Sequence, residues 1–454
     1  MAVLGGGLAG MTAAWRLTEL GYKVTLVERR PYLGGRAYSF VDRDTGCEVD
    51  NGQHVFLGCC TAYTRFLRDI GTEELTTRQR RLRIDVRSPD GRTGVLSALP
   101  LPAPLHLLSS FLGYPHIGFR DKLRAVPALL RIRRERDTER PELRRQSFHD
   151  WLRRNGQSDR AVANFWDLIV LPSLNDASKD VSASAAFMVF QEALLRNSHG
   201  ADVGFARAGL SEIMGNAVER KLAERGATLL LGRTIEHLVV EDSVVTGAVL
   251  AGGETLRADR FISALPPAAL LDALPEEWRS HEAFQPACTH TWAPIVNLHI
   301  WYDRPIGDFE FLAFVDSPVQ WVFNRTRIAG LPGQGQYVTV SLSGAWEYWP
   351  LAKEELRARF LPELARLFPD AKDARVERFV VVKEKRATFR SLPDGPANRL
   401  PAATPLGNLF LAGDWTDTGW PATMEGAVRS GEAAARAVAT AGGERRPVNA
   451  GERG

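Results

Sequence analysis

The residues near the amino terminus have the spacing of a nucleotide-binding turn. Gly5, Gly7 and Gly10 occupy the three glycine places of a GxGxxG pattern. The first glycine permits a tight turn, the second lets backbone amides approach a pyrophosphate, and the third allows a helix to pack closely on a strand. Glu28 stands eighteen positions beyond Gly10, where a carboxylate accepts hydrogen bonds from a ribose diol. Together these residues predict a dinucleotide site.

A strand, a helix and a second strand must position those groups. The four residues before the glycines are an apolar strand, and Met11–Leu20 has the composition of a helix that Gly21 would end. Lys23–Val27 then reads as the second strand. The helix start adds free N–H groups, around Leu8 and Ala9, and the positive end of its dipole. This context makes the pattern more specific than a lone GxGxxG.

A second glycine turn follows the ribose-binding acid. After Glu28 and Arg29 the chain runs through Gly34, Gly35 and Arg36. The arginine and the backbone of this turn would lie beside the pyrophosphate, which suits a cofactor that stays bound. Glu28, Arg29, Gly35 and Arg36 are therefore predicted cofactor contacts. The alternative is an ordinary glycine-rich loop with a surface arginine.

This segment resembles the flavin-containing amine oxidase and carotenoid desaturase superfamily, in which the arginine-bearing loop follows the first βαβ unit. The resemblance implies that the nucleotide is FAD. It implies an α/β fold, with a Rossmann-like FAD-binding domain of the GR2 type and an inserted substrate domain made of helices and β-sheet. It also implies that backbone near Ile235 pairs with the adenine.

A second diagnostic stretch lies near the carboxyl terminus. A buried strand, Asn408–Ala412, delivers Gly413 and Asp414 toward a helix that starts at Met424 and Glu425. The carboxylate of Asp414 is placed to bind ribityl or phosphate-linked hydroxyls. Backbone amides around the helix start would face the pyrimidine end of the flavin and stabilise its reduced anion. A strand-end aspartate that merely caps a helix is the alternative.

The segment Asp50–His54 has the sequence DNGQH. In the family such a segment runs close to the flavin, so Gln53 and His54 are predicted cofactor contacts. His54 is also a candidate catalytic group, because it could donate to the flavin or the substrate. A local Asn-Gly turn beside a structural histidine is the alternative.

The loop Pro172–Asp180 supplies the other candidate catalytic groups. It offers Asp176, Lys179 and Asp180 within an otherwise apolar region, where burial would raise the pKa of a carboxyl toward the range useful to a general acid. Asp176 is the first candidate for that acid, and Lys179 is a further one. The alternative for Asp180 is to cap the following helix, as nearby Ser182 could also do.

At 454 residues the chain is too long for one ordinary core, so two domains are predicted. From about residue 76 to 204, leucine-rich helical segments replace the βα pattern. The predicted FAD-binding domain is discontinuous and covers 1–75, 205–268 and 400–440. The predicted substrate domain consists of a helical insertion over 76–204 and a sheet with a helix over 269–399. A disordered tail is predicted over 441–454.

Composition excludes several other classes. The chain is 44% hydrophobic and 24% charged, which is typical of a globular protein. Its four cysteines show no CxxC spacing and its nine histidines no HxxxH pair, so neither a disulfide framework nor a metal site is predicted. This usage fits a reducing, cytoplasmic compartment. The positive charge is too localised and too poor in motifs to predict nucleic-acid binding.

One apolar segment predicts contact with a membrane surface. Val95–Phe119 is interrupted by four prolines, so it is not a spanning helix. Residues 78–92 carry a net charge of +4 and residues 120–145 a net charge of +5. An apolar segment between basic flanks suits peripheral attachment to an anionic bilayer, on the inner face of the membrane. Solvated helix faces around a buried loop are the alternative.

Three stretches resemble one particular group within this superfamily. They are DNGQH at 50–54 running into FLGCC at 56–60, PSLND at 172–176, and GDWT at 413–416 with GWP at 419–421. Together they resemble the squalene-associated FAD-dependent desaturases, the hydroxysqualene dehydroxylases of bacterial hopanoid pathways. This resemblance implies removal of a hydroxyl from hydroxysqualene to give squalene, with reduced FAD as the hydride donor. It leaves the electron donor unknown and makes association with other enzymes of that pathway possible.

Other readings stay open. A carotenoid-type desaturase would use the same architecture in the opposite redox direction, and a flavin amine oxidase is a further alternative. Prenyl-binding escort-type proteins keep this fold without flavin chemistry. The intact Glu28, Arg36 and Asp414 weigh against the escort type.

Overall fold

The computed structural model describes residues 1–395 and 399–441. Apart from Ala441, which ends the last helix, the tail predicted over 441–454 lies outside the described residues.

Five parallel strands from distant parts of the chain form the first sheet. Their order across the sheet is Thr228–Leu231, Thr25–Glu28, Ala2–Leu4, Phe261–Ser263 and Leu409–Leu411. Because all five run in the same direction, their carboxyl ends meet at one edge of the sheet. The helices Leu8–Glu19 and Met424–Ala441 begin at that edge and pack against each other. The predicted α/β class with a Rossmann-like sheet is confirmed.

Seven strands form the second sheet. Their order is Val376–Phe389, Trp292–Tyr302, Gln336–Leu342, Trp321–Asn324, Phe311–Phe314, Arg83–Arg87 and Thr93–Ser97. On one face, Val296, Leu298 and Ile300 pack in an apolar core that also includes buried residues of the helix Lys353–Leu367. Because side chains alternate along a strand, Asn297 and His299 point to the opposite face.

Three small antiparallel sheets complete the β-structure. They consist of Ser39–Val41 with Glu48–Asp50; of Val55–Leu57, Val203–Ala206 and Thr76–Arg78; and of Ile235–Glu241, Val244–Leu250 and Thr255–Leu256.

The region 76–204 is mostly helical, as predicted, but it is not helical throughout. Arg83–Arg87 and Thr93–Ser97 form a hairpin whose first strand pairs with Phe311–Phe314. The predicted helical insertion over 76–204 therefore also contains strands that the prediction did not include. The leucine-rich helices dominate the composition of this region and hide the short alternation of Ile84 and Val86 with charged neighbours.

The helices of this region are Leu105–Leu107, Leu108–Gly113, Phe119–Arg134, Pro141–Arg145, Phe148–Arg154, Asp159–Ala161, Val162–Trp166, Asp167–Leu174, Ala183–Phe190 and Gln191–Leu195. Many of their buried side chains share one core with Phe311 and Phe323 of the second sheet. The helices elsewhere, besides those already named, are Thr61–Ile70, Glu73–Leu75, Ser211–Asn216, Ala217–Glu224, Pro267–Ala273, Glu276–Arg279, Glu282–Phe284, Gln285–Cys288, Arg325–Ala329 and Pro369–Lys372.

One packing contact changes where we would divide the chain. Leu270 and Phe284 share a core cluster with Leu4, Val27 and strands of the parallel sheet. The helices Pro267–Ala273 and Gln285–Cys288 therefore pack on the cofactor side. We propose a domain boundary near residue 289 in place of 268.

Candidate cofactor and catalytic site

Gly5, Gly7, Gly10 and Gly35 form the glycine cradle at the carboxyl edge of the parallel sheet. Gly5 has a φ of +108°, which favours glycine. A Cβ atom on Gly10 would overlap the carbonyl oxygen of Gly5, and one on Gly35 would lie 2.8 Å from the Cα of Gly7. The two glycine turns therefore pack backbone against backbone, and side chains are excluded from the contact.

Space above Gly7 is open. A Cβ there would meet only the Cα of Gly35, at 3.8 Å. Gly7 is also the N-cap of the helix Leu8–Glu19, and no side chain caps this end. The N–H of Met11 donates to the Gly7 carbonyl at 2.8 Å, so the amides of Leu8 and Ala9 precede the first helical hydrogen bond. The cradle thus presents amides and a helix dipole to open space, as a pyrophosphate requires.

Glu28 is buried at the end of its strand, beside the cradle. Its carboxylate accepts hydrogen bonds from the amides of Gly6, at 2.7 Å, and Arg30, at 2.9 Å. These amides fix the carboxylate at the strand end while leaving acceptor capacity for hydroxyl donors. The side chain of the neighbouring Arg29 is exposed.

Backbone hydrogen bonds join the residues just before Ile235 to the strand end at Glu28. The amides of Gly232 and Arg233 donate to the carbonyls of Arg30 and Glu28, both at 2.9 Å. The strand that begins at Ile235 follows two residues later. The backbone predicted to contact the adenine is therefore tethered to the strand end that carries Glu28, the predicted ribose contact.

The two distant halves of the predicted site meet in an ion pair. Arg36 Nη2 lies 2.5 Å from Oδ1 of Asp414, which is 4% exposed. Arg36 also donates to the carbonyl of Ala387 at 2.9 Å, at the end of the second sheet. The amide of Gly413 donates to the hydroxyl of Ser430 in the last helix. Arg36 therefore joins the parallel sheet to the seven-stranded sheet.

The last helix starts at Met424, which is half-buried, and Glu425. The amide of Glu425 is a predicted flavin contact, whereas its side chain contacts another helix. Its buried carboxylate accepts hydrogen bonds from the amides of Ala62, at 3.1 Å, and Tyr63, at 2.7 Å. It therefore supplies acceptors at the start of the helix Thr61–Ile70. Sequence reasoning missed this tether, because the partners are more than 360 positions apart.

The segment Asp50–His54 packs against the polar face of the second sheet. A Cβ on Gly52 would lie 2.8 Å from Nδ2 of Asn297, and the Gln53 amide donates to Oδ1 of the same residue at 3.4 Å. Arg325 donates to the Gln53 side chain and to Asp50, both at 3.4 Å. Neither Asn297 nor Arg325 stands in a motif, so the sequence carried no signal for them.

His54 is a neutral acceptor in this arrangement. Its Nδ1 lies 2.9 Å from the carbonyl oxygen of Gly52, which can only accept, so Nδ1 carries the hydrogen and Nε2 is free to accept. Burial lowers the pKa of the imidazole below its ordinary value. His54 is thus better suited to accept a proton than to donate one near neutral pH.

Asp176, Asn175, Arg390 and Trp346 form the Asp176 corner, at the end of the seven-stranded sheet. The Asp176 carboxylate is 1% exposed and accepts from Nε of Arg390 at 2.7 Å and from the indole N–H of Trp346 at 3.2 Å. Burial raises its pKa, and the guanidinium of Arg390 opposes the rise. Asp176 therefore also has a structural role, because it holds Arg390 and Trp346 at the end of the sheet.

The corner and the cradle approach the same end of the second sheet. Asn175 donates to the hydroxyl of Thr388 at 2.9 Å, one residue beyond the carbonyl of Ala387 that Arg36 contacts. Arg390, which holds Asp176, follows two residues later. The predicted loop thus lies beside the carboxyl-terminal half of the cofactor site.

The other polar residues of the loop lie differently. Lys179 is exposed, and Asp180 lies 3.8 Å from Arg390. Ser182, not Asp180, is the N-cap of the helix Ala183–Phe190, and it accepts from the Ala185 amide at 3.3 Å.

Comparisons with known proteins show the family of this chain. The model of the family described as flavin containing amine oxidoreductase matches residues 8–439. The chain belongs to this family. Hydroxysqualene dehydroxylase of Rhodopseudomonas palustris is 31% identical over 97% of this chain and 98% of the relative. The 15-cis-phytoene desaturase of Synechococcus elongatus is 25% identical over 96% of this chain and 95% of the relative.

Solved structures of other proteins share this fold. A redesigned putrescine oxidase superimposes with a TM-score of 0.75 at 18% identity, covering 97% of this chain and 98% of the oxidase. Cyclohexylamine oxidase from Brevibacterium oxydans gives a TM-score of 0.72 at 19% identity, covering 98% and 99%.

This flavin-containing family member is an FAD-dependent oxidoreductase. Its residues fit the cofactor, because the open space above Gly7, the exposed helix amides and the buried Glu28 match the needs of pyrophosphate and ribose. The family's relatives that act on isoprenoids are consistent with a substrate of the isoprenoid type.

Proposed function

We propose that the protein catalyses the reductive dehydroxylation of hydroxysqualene to squalene. The observation that carries this proposal is the likeness to hydroxysqualene dehydroxylase, which is 31% identical over nearly the whole of both chains, against 25% for the phytoene desaturase. The stretches at 50–60, 172–176 and 413–421, which resemble those of the squalene-associated desaturases, point to the same reaction.

The reaction sets a requirement on the protein's own groups. Reduced FAD, when bound, supplies the hydride. The carbon–oxygen bond breaks, a proton goes to the oxygen so that it leaves as water, and hydride completes the new carbon–hydrogen bond. Because hydroxide is a poor leaving group, a proton donor beside the alcohol is needed, and such a group contributes typically about 10²–10⁴-fold.

We assign that role to Asp176. Burial raises its pKa above the ordinary value, against the opposing effect of Arg390, and its loop lies beside the sheet end that contacts Arg36. His54 is the second candidate, but its Nε2 carries no proton in the neutral ring, so it would have to be protonated before it could act as the acid. The exposed Lys179 has the weakest claim.

The reaction is tested by anaerobic single turnover. Photoreduced protein is mixed with hydroxysqualene, and flavin oxidation is followed together with squalene formation. We expect both at matched rates. Reduction of the oxidised protein by phytoene or zeta-carotene would support a carotenoid-type desaturase instead, and reduction by an amine would support an amine oxidase.

The acid is tested with Asp176→Asn, which keeps the shape and removes the ionisable proton. We expect a fall of about 10²–10⁴-fold in the single-turnover rate, with flavin content unchanged. Asp180→Asn is the matched control, because it removes a neighbouring carboxylate that also faces Arg390, and it should keep the parent rate. A parent-like rate for Asp176→Asn across pH would exclude Asp176 as the acid.

We also propose that the protein works on the cytoplasmic face of a membrane, since long isoprenoids dissolve in the bilayer. Throughout 1–395 and 399–441, no helix has the length and apolar character to cross a membrane. Attachment would therefore be peripheral in that part of the chain. The electron donor and any association with other pathway enzymes stay open predictions.

A further inference from the structure

Exposed apolar side chains are concentrated in one short part of the chain. Seven of the twelve large hydrophobic side chains that are exposed among the described residues lie between positions 99 and 123. We call them the apolar surface: Leu99, Leu101, Leu105, Leu108, Leu112, Phe119 and Leu123, which are 41–69% exposed. A cluster of this kind on a globular protein marks an interaction site.

These side chains belong to adjoining elements. Leu108 and Leu112 are one turn apart in the helix Leu108–Gly113, and Phe119 and Leu123 are one turn apart in the next helix. The two helices contact each other, and Nζ of Lys122 donates to the carbonyl of Leu112 at 2.6 Å. The outward stripes of the two helices are therefore neighbours.

The same elements are anchored from beneath. Phe111, Tyr114 and Ile117 are all buried in the core of the helical region. This core therefore fixes the backbone that carries the exposed leucines and Phe119. Their exposure is a property of the folded chain, and it does not come from a loose end.

Positive charge borders the apolar surface. Residues 95–119 contain no aspartate, glutamate, lysine or arginine, whereas Arg81 donates to the carbonyl of Leu99 at 3.4 Å and Arg133 to that of Ala103 at 3.5 Å. Arg120 and Arg124 are exposed in the second helix, where Asp121 is the one acidic residue. Apolar side chains with a basic rim match an anionic lipid surface in both chemistry and charge.

We propose that the apolar surface docks the protein on an anionic bilayer. Leu99 to Leu112 and the pair Phe119 and Leu123 would enter the headgroup region, while Arg81, Arg120 and Arg133 contact lipid phosphates. This proposal rests on the proposed function, because the bilayer is where a long isoprenoid substrate dissolves. Docking itself can be measured without substrate. The two proposals can therefore fail separately.

The test is flotation of the FAD-loaded full chain with vesicles of phosphatidylcholine, with or without phosphatidylglycerol. We expect binding to the anionic vesicles at low salt and strong weakening at about 1 M salt, where the Debye length is about 3 Å. Phe119→Ser with Leu123→Ser should lower the partition coefficient at least about tenfold, because each side chain loses its transfer into the interface. Arg81→Gln with Arg120→Gln should lower it about tenfold on anionic vesicles only.

A matched control keeps the test specific. Val41→Ser with Val244→Ser removes two exposed apolar side chains elsewhere, 62% and 41% exposed, and should leave binding unchanged. Parent-like binding by the Phe119/Leu123 variant would overturn the proposal. So would equal binding to neutral and anionic vesicles at low salt. Loss of self-association in that variant, with no vesicle binding by the parent, would instead identify an interface between copies.

Discussion

The glycine cradle and the Asp176 corner both reach the junction of the two large sheets, but they are built in different ways. The cradle is made of backbone, and its glycines fall within the first 35 residues. The corner is made of side chains, and Asp176 lies 170 positions from Trp346 and 214 from Arg390. The comparison teaches that the cradle depends on the absence of Cβ atoms, whereas the corner depends on the pairing of a buried charge.

The largest effect should come from placing a Cβ in the cradle. In Gly10→Ala the new atom overlaps the Gly5 carbonyl, and backbone cannot move aside as a side chain can. We expect a loss of about 3 kcal/mol or more in the free energy of unfolding, and loss of FAD. Thermal unfolding and flavin content measure both.

Gly7→Ala is the matched variant. Its Cβ meets only Gly35, at 3.8 Å, so the free energy of unfolding of the apoprotein should change by less than about 1 kcal/mol. The methyl group would instead occupy the space open to the pyrophosphate, and FAD affinity should fall. Equal stability losses in the two variants would contradict this division between packing and binding.

The stability of the Asp176 corner should depend on the pairing of its charges, whereas that of the cradle depends on added volume. Arg390→Gln leaves the buried Asp176 carboxylate without its cation, and we expect a loss of about 3 kcal/mol in the free energy of unfolding at neutral pH. Adding Asp176→Asn should restore part of that loss, because no uncompensated charge stays buried. Denaturant unfolding of the single and double variants measures the coupling.

A pair whose arginine is exposed is the control for this prediction. Arg366→Gln removes the partner of Glu363 on a helix surface, where the Arg366 side chain is 53% exposed, and should cost less than about 1 kcal/mol. If the double variant at the corner were no more stable than Arg390→Gln, the buried charge would not be the cause.

The smallest effect should be a change of the unfolding free energy with pH. It is expected from His299, on the polar face of the second sheet. Burial lowers its pKa to about 3, and its Nδ1 contacts the Tyr337 hydroxyl at 2.7 Å. The unfolded chain, with an ordinary pKa of about 6.5, therefore binds the proton better, so stability falls as pH drops below about 6.5. Between pH 6.5 and 5 this amounts to about 2 kcal/mol.

His299→Gln removes this titration and leaves the other histidines in place. The difference in unfolding free energy between parent and variant should therefore shrink or invert as pH falls from 7 to 5. Two curves that stay parallel over this range would show that His299 does not titrate with folding. The cradle, which is made of backbone, should contribute no such dependence.

The sequence by itself determined the family, the cofactor and the parallel sheet. These could be predicted because the cradle's chemistry lies in backbone conformation and in short spacings, such as the eighteen positions from Gly10 to Glu28. Even the distant Asp414 could be placed, since it follows a buried strand whose carboxyl end must share the sheet edge.

Only the tertiary structure decided what Glu425, Asn297 and Asp176 contact. Their partners lie on other elements, and neither hydrophobic periodicity nor spacing records which strands become neighbours. The same reason explains why the hairpin Arg83–Ser97 was missed: its pairing with Phe311–Phe314 joins segments more than 200 positions apart. Local chemistry is written along the chain, whereas the partners of a buried charge are chosen by the packing of the whole fold.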